Sequence, residues 1–186
     1  MSERRQLQWA PGIALVWMLG LSCPDAGAAD DIRPTGLGKA AAAATIAAQD
    51  IAIGPRGTAL PPGRGTVSEG AALYASKCAM CHGEQGHEGP DPALVGGQGS
   101  LASDSPLLTI GSYWPYATTV YDYIYRAMPF FQPGSLSPDD VYALTAHLLH
   151  TNGIVAADAV IDRTSLPAVS MPNRDGFIAD PRPDLP

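Results

Sequence analysis

Cys78-Ala79-Met80-Cys81-His82 places two thiols three positions apart, with an imidazole directly after the second. Thiols at that spacing can add across the two vinyl groups of a haem, and the His that follows then directs its ring at the iron from below. Two other chemistries use paired cysteines. A zinc half-site needs a second pair of ligands at usable spacing, and the remaining cysteine, Cys23, lies far upstream. A redox dithiol belongs at the strand-to-helix junction of a βαβ unit, and nothing around residue 78 reads that way. The expectation is one covalently attached haem c, held by Cys78 and Cys81, with His82 as the proximal iron ligand.

An iron bound to His82 takes its sixth ligand from elsewhere, and the candidates are Met128, Met171, Met80, His87, His147 and His150. Met80 sits between the cysteines and cannot reach the other face. His87 follows the proximal His too closely to leave its side. Met128 lies 128 − 82 = 46 residues downstream of His82, at the end of an expected helix and ahead of Pro129. Proline there stops the helix and fixes the backbone, which can hold a thioether on the distal face. Methionine is a soft ligand that favours ferrous iron and raises the potential. Its competing role is core filler, but Met128 is the leading candidate. Met171 also precedes a proline, yet lies beyond the last expected helix, and His147 and His150 are expected to face partly outward, as surface residues rather than ligands. The proximal ring needs an acceptor for its second N–H, and the carbonyl of Pro92 is within reach. Trp114 and Tyr116 could bond the haem propionates, with core packing an equal alternative. Arg126 would pair with a propionate or remain solvated.

Helices must deliver these residues. Ser68 to Lys77 reads as one, with Thr66 or Ser68 as cap, and it feeds the cysteines into the haem turn. Gly83 to Ser100 is rich in glycine and proline and should be loop. Ala117 to Met128 is helical, with Val120, Ile124 and Ala127 on one face. Ser137, Pro138, Asp139 and Asp140 start a last helix with a buried stripe of Val141, Leu144, Leu148 and Tyr142, ended by Asn152-Gly153. The expected fold is all-α, a small helical domain over residues 67–153 around one haem, which itself supplies much of the apolar core.

Outside that domain the composition changes. Residues 1–29 read as a secretory signal: Arg4 and Arg5, an apolar centre from Ile13 to Leu21, and cleavage after Ala28 or Ala29. The apolar run falls short of the roughly 20 residues of a membrane span, so no span is expected after cleavage. Gly20-Leu21-Ser22 ahead of Cys23 lacks the aliphatic residue of a lipidation signal. Export agrees with covalent haem, which is matured outside the cytoplasm, and the expected compartment is the periplasm. Residues 30–66 and 154–186 are arms punctuated by Pro and Gly, either linker or segments that lie on a partner. Ile51 and Ile53 alternate as an extended, half-buried stretch would. From Asp30 onward nine Lys/Arg face sixteen Asp/Glu, 9 − 16 = −7, which argues against nucleic acid and anionic lipid as partners.

Cys78-x-x-Cys81-His82-Gly83, Pro92-x-Leu94-x-Gly96 and Met128-Pro129 before a final helix resemble the class I cytochromes c over residues 67–152. A narrower resemblance spans nearly the whole chain after the signal. Leu60-Pro61-Pro62-Gly63, Gly96-Gly97-Gln98-Gly99, Gly111-Ser112-Tyr113-Trp114-Pro115-Tyr116, Arg126-Ala127-Met128-Pro129-Phe130 and Met171-Pro172-Asn173 are similar to the cytochrome subunits of periplasmic sulfite and sulfane dehydrogenases. This resemblance implies His82 and Met128 as ligands and a molybdenum-cofactor subunit that oxidises the sulfur compound and passes electrons singly to the haem. It implies that both arms contact that subunit. A downstream cytochrome would accept the electrons. With a single C-x-x-C-H, a mechanism using two haems in this chain is ruled out. The competing functions are a free electron shuttle and, further off, a haem enzyme with a labile Met128.

Overall fold

A computed structural model describes residues 38–178. The expected signal peptide and the last eight residues, 179–186, lie outside the described residues. In chain order the elements are helix α1 (Ala43–Gln49), strand β1 (Arg64–Thr66), helices α2 (Val67–Lys77), α3 (Ala79–His82), α4 (Ala117–Ala127) and α5 (Pro138–Thr151), and strand β2 (Val160–Asp162). Single 3-10 turns cover Ser100–Ala102 and Leu166–Ala168. The domain is therefore helical, as its periodicities indicated.

Helix α2 starts on a capping box. Thr66 Oγ1 accepts the Glu69 N–H at 3.2 Å, and the Glu69 carboxylate accepts the Thr66 N–H at 2.8 Å. Two of the helix's open donors are satisfied this way. Helix α5 repeats the device: Ser137 Oγ accepts the Asp140 N–H at 3.2 Å, Asp140 accepts the Ser137 N–H at 3.1 Å, and Pro138 occupies the first turn. The two helices pack face to face at Gly70, where a Cβ would collide with the Ala143 carbonyl and come within 2.7 Å of His147 Cβ. Only glycine permits so close an approach.

Helix α5 is the centre of the structure. The expected stripe is buried, but so are Ala143, Thr145, Ala146 and Leu149. The additional burial comes from the arms, which close over the outer face of α5. Strand β1 pairs antiparallel with β2, Gly65 opposite Ile161, and this two-stranded ribbon lies against α5. Ile53, Leu60, Ile161, Leu166 and Met171 all belong to the hydrophobic core, so that core extends past residues 67–153 into both arms. Tyr142 donates to the Pro61 carbonyl at 2.9 Å, and Thr118 donates to the Pro55 carbonyl at 2.9 Å. Of the alternating pair, Ile53 is buried and Ile51 is 43% exposed. Helix α1 buries none of its side chains.

His147 and His150 are both half-buried, in keeping with side chains that face partly outward, and the His147 ring lies 5.2 Å from that of Tyr74 on α2. Burial, and then the neighbouring His150, hold its pKa below the ordinary histidine value. His150 Nδ1 sits 3.0 Å from the Val155 carbonyl in the turn after the helix.

Candidate metal centre

Helix α2 hands the chain directly to the short helix α3 at Cys78, whose N–H closes the last turn on the Tyr74 carbonyl at 2.9 Å. The N–H groups of Cys81 and His82 both bond the Cys78 carbonyl, at 3.1 and 3.0 Å, so Cys78, Cys81 and His82 share one tight turn. Gly83 ends it with φ +84°, a left-handed conformation that a side chain would oppose. The loop that follows folds back on the turn: Asp91 N–H bonds the Cys81 carbonyl at 3.0 Å, and the Glu88 carboxylate accepts the N–H groups of Gln85 and His87.

Neither cysteine is in a disulfide. Burial pushes the Cys78 thiol up to about 11, and a hydrogen bond to Asp91 raises that of Cys81. A reactive redox dithiol requires the opposite, a thiolate stabilised by positive surroundings. Among the described residues no group of three or more His, Cys, Asp or Glu could hold a metal ion.

His82 Nδ1 lies 2.9 Å from the Pro92 carbonyl oxygen. A carbonyl only accepts, so Nδ1 carries the proton and Nε2 keeps its lone pair for a metal. Met128 is the residue after α4; its N–H still bonds the Ile124 carbonyl at 3.1 Å while its backbone is already extended, the conformation that a following proline demands. Its side chain is half-buried against the core, as are those of Cys78, Leu94 and Trp114. Met171, by contrast, is 2% exposed and fully part of the core.

The remaining candidates have defined surroundings. The Trp114 ring meets Tyr123 edge-on at 5.7 Å, and the Tyr116 ring carries the Arg174 guanidinium 4.2 Å above its centre. Arg126 is forked against Asp122 one turn earlier, with Nε donating to Oδ1 at 2.9 Å. Asp122 Oδ1 also accepts the Ile53 N–H at 2.8 Å, which ties the N-terminal arm to α4. Two contributors are not singled out by the sequence reading. The buried Tyr74 donates to the Gly83 carbonyl at 2.9 Å and so braces the haem turn, and Asp122 orients Arg126. The spacing i, i+4 carries a signal for Asp122 with Arg126, whereas Tyr74 reaches nine residues ahead and no short-range pattern marks it.

The donor set fits a haem c: two unpaired thiols for the vinyl groups, an imidazole with one nitrogen engaged and the other open, and a thioether on a separate element. A family model described as Cytochrome C oxidase, cbb3-type, subunit III matches residues 65–148. With the helical fold and the haem turn, this defines the protein as an electron-transfer haem cytochrome, and the chain belongs to the class I c-type cytochromes. Within them it resembles a chain in the crystal structure of the sulfane dehydrogenase SoxCD from Paracoccus pantotrophus. The identity is 50%, covering 79% of this chain and 73% of that one, with a TM-score of 0.71. No curated protein sequence matches. No helix among the described residues is long and apolar enough to cross a membrane.

Proposed function

We propose that the protein is the mono-haem electron-transfer subunit of a periplasmic sulfite or sulfur dehydrogenase. In this reading it accepts electrons from a molybdenum-cofactor subunit and delivers them to a downstream cytochrome. The observation that carries this reading is the half-identical match, over most of both chains, to a chain of the sulfane dehydrogenase SoxCD. The haem supplies a one-electron couple; the protein supplies its attachment and surroundings. Cys78 and Cys81 would hold it as thioethers, His82 would bind the iron through Nε2 with Pro92 orienting the ring, and Met128 would be the second protein ligand. With both ligands in place the group would supply electron transfer alone, so in this reading sulfur chemistry belongs to the partner and the chain is not itself catalytic. Residues 1–29 direct export and are removed. The arms flanking residues 67–153 carry exposed apolar side chains, Ile46 and Ile51 in one and Phe177 and Ile178 in the other, and these meet the catalytic subunit.

Purification from the native periplasm under mild conditions tests the partner. The chain is expected to elute with stoichiometric molybdenum and to have its haem reduced when a sulfur substrate is added. Elution as a lone monomer, without molybdenum, refutes the subunit role and leaves a free shuttle. The ligand assignment is read from the near-infrared Met-to-iron charge-transfer band of the oxidised protein. Met128→Ala abolishes the band and Met171→Ala retains it; the reverse pattern refutes the assignment.

A further inference from the structure

Three buried polar side chains, Thr109, Ser112 and Asn152, gather at the seam between the loop after the haem turn and the end of α5. Asn152 is buried there: Oδ1 accepts the Gly96 N–H at 3.2 Å, and Nδ2 donates to the Leu94 carbonyl at 3.1 Å and to the Leu148 carbonyl at 2.9 Å. Thr109, 1% exposed, donates from Oγ1 to the Gly96 carbonyl at 2.5 Å and accepts the N–H groups of Gly111 and Ser112 at 3.1 and 3.2 Å. The Ile110 N–H adds a second bond to the Leu94 carbonyl at 3.3 Å. Asn152 thus holds both Leu94 and Gly96, and Thr109 holds Gly96 a second time. Two residues before Leu94 stands Pro92, whose carbonyl takes the His82 Nδ1 proton.

We infer that Asn152 and Thr109 are positioning residues for the proximal ligand: by clamping Leu94 and Gly96 they set the placement of the Pro92 carbonyl against His82. The inference rests on the reading of His82 as iron ligand. Apolar contacts alone would leave the loop free to slide, because they are not directional. Hydrogen bonds at fixed angles to three backbone groups do not allow that. A carbonyl held close to Nδ1–H increases the ring's basicity and its donation to the metal, which favours the ferric state. Slackening the clamp therefore weakens that bond and moves the potential upward.

The test uses the full haem-loaded chain. Two readouts are followed: solvent exchange of the His82 Nδ1 proton by NMR of the ferrous protein, and the midpoint potential. Thr109→Val removes the hydroxyl with little change of shape, Thr109→Ser keeps it, and Asn152→Ala removes the other jaw. Tyr142→Phe, which loses a 2.9 Å bond to Pro61 away from this loop, controls for general destabilisation. Thr109→Val and Asn152→Ala are expected to speed exchange roughly tenfold or more, as local opening becomes easier, and to raise the potential. Thr109→Ser and Tyr142→Phe are expected to leave both readouts at the wild-type values. Thr109→Val that melts earlier with both readouts unmoved overturns the inference, as does Thr109→Ser behaving like the Val variant. If Asn152→Ala does not accumulate, the Thr109 pair decides alone. A wild-type protein whose His82 proton lacks the strong haem ring-current shift overturns the ligand reading and the clamp together. A shifted proton that is unmoved in Thr109→Val overturns only the clamp.

Discussion

Replacing Gly70 by alanine probes the contact that sets where α2 delivers the cysteines. In an exposed helix the change would stabilise by about 1 kcal/mol, since glycine is the poorer helix former. At Gly70 the new methyl meets the Ala143 carbonyl and lies 2.7 Å from His147 Cβ, well inside ordinary contact. Neither neighbour can swing away, because one is helix backbone and the other is the first atom of a side chain on α5. Relief requires the two helices to part by on the order of 1 Å, loosening Val67 and Tyr74, the apolar side chains that α2 buries. Overpacking of this kind costs about 3 kcal/mol or somewhat more, and subtracting the propensity gain leaves a net loss of about 2–3 kcal/mol. For a domain of this size that lowers Tm by about 10 °C. Urea unfolding of the haem-loaded protein, followed by far-ultraviolet dichroism, measures the loss. Ala72→Gly, at an exposed position on the same helix, is expected to cost about 1 kcal/mol and calibrates the backbone contribution. Gly70→Ala as stable as wild type, or more so, refutes the reasoning.

Three further outcomes follow from contacts elsewhere. Asp122→Asn weakens the fork to Arg126 and the bond to Ile53, costing about 1–2 kcal/mol at neutral pH, read from the urea midpoint. Burial alone would raise the Asp122 pKa, but the Arg126 and Ile53 hydrogen bonds outweigh it and the carboxyl sits below its ordinary value. Its contribution is therefore present above the ordinary carboxylate range and lost as pH falls through the lowered value, so the midpoints of the wild type and the Asp122→Asn variant converge in acid. Thr66→Ala removes the cap of α2 and costs about 1 kcal/mol, measured in the same way. Met171→Ala empties a core site and costs about 2–4 kcal/mol in thermal unfolding, while the Met-to-iron band persists.

The haem turn and the helices are legible in the sequence because their signals are local. Cys78 to His82 carries its chemistry in five adjacent residues, and Thr66, Ser137 and Pro138 mark helix starts by short-range hydrogen bonding. The arms are not legible in the same way. Ile53, Leu60 and Leu166 stand among prolines and glycines with no period, and their burial depends on contacts with α4 and α5 far along the chain. Arg126 is expected at a propionate or in solvent, but its partner, Asp122, is one helical turn away. Asn152 reads in the sequence only as a helix stop, because its bonds to Leu94 and Gly96 span more than fifty residues.

The pairing of β1 with β2 has a consequence for how the chain is completed. Gly65 faces Ile161, a separation of 161 − 65 = 96 residues, so the N-terminal arm has its docking strand only when nearly all of the chain is present. Synthesis delivers that arm first, and its strand waits for a partner made near the end. The two arms meet across α5, and cutting either side removes one strand of the ribbon while the other arm keeps its own bonds to the helices. A protein trimmed to its helices would keep the residues that attach haem and lose what fastens its two ends together.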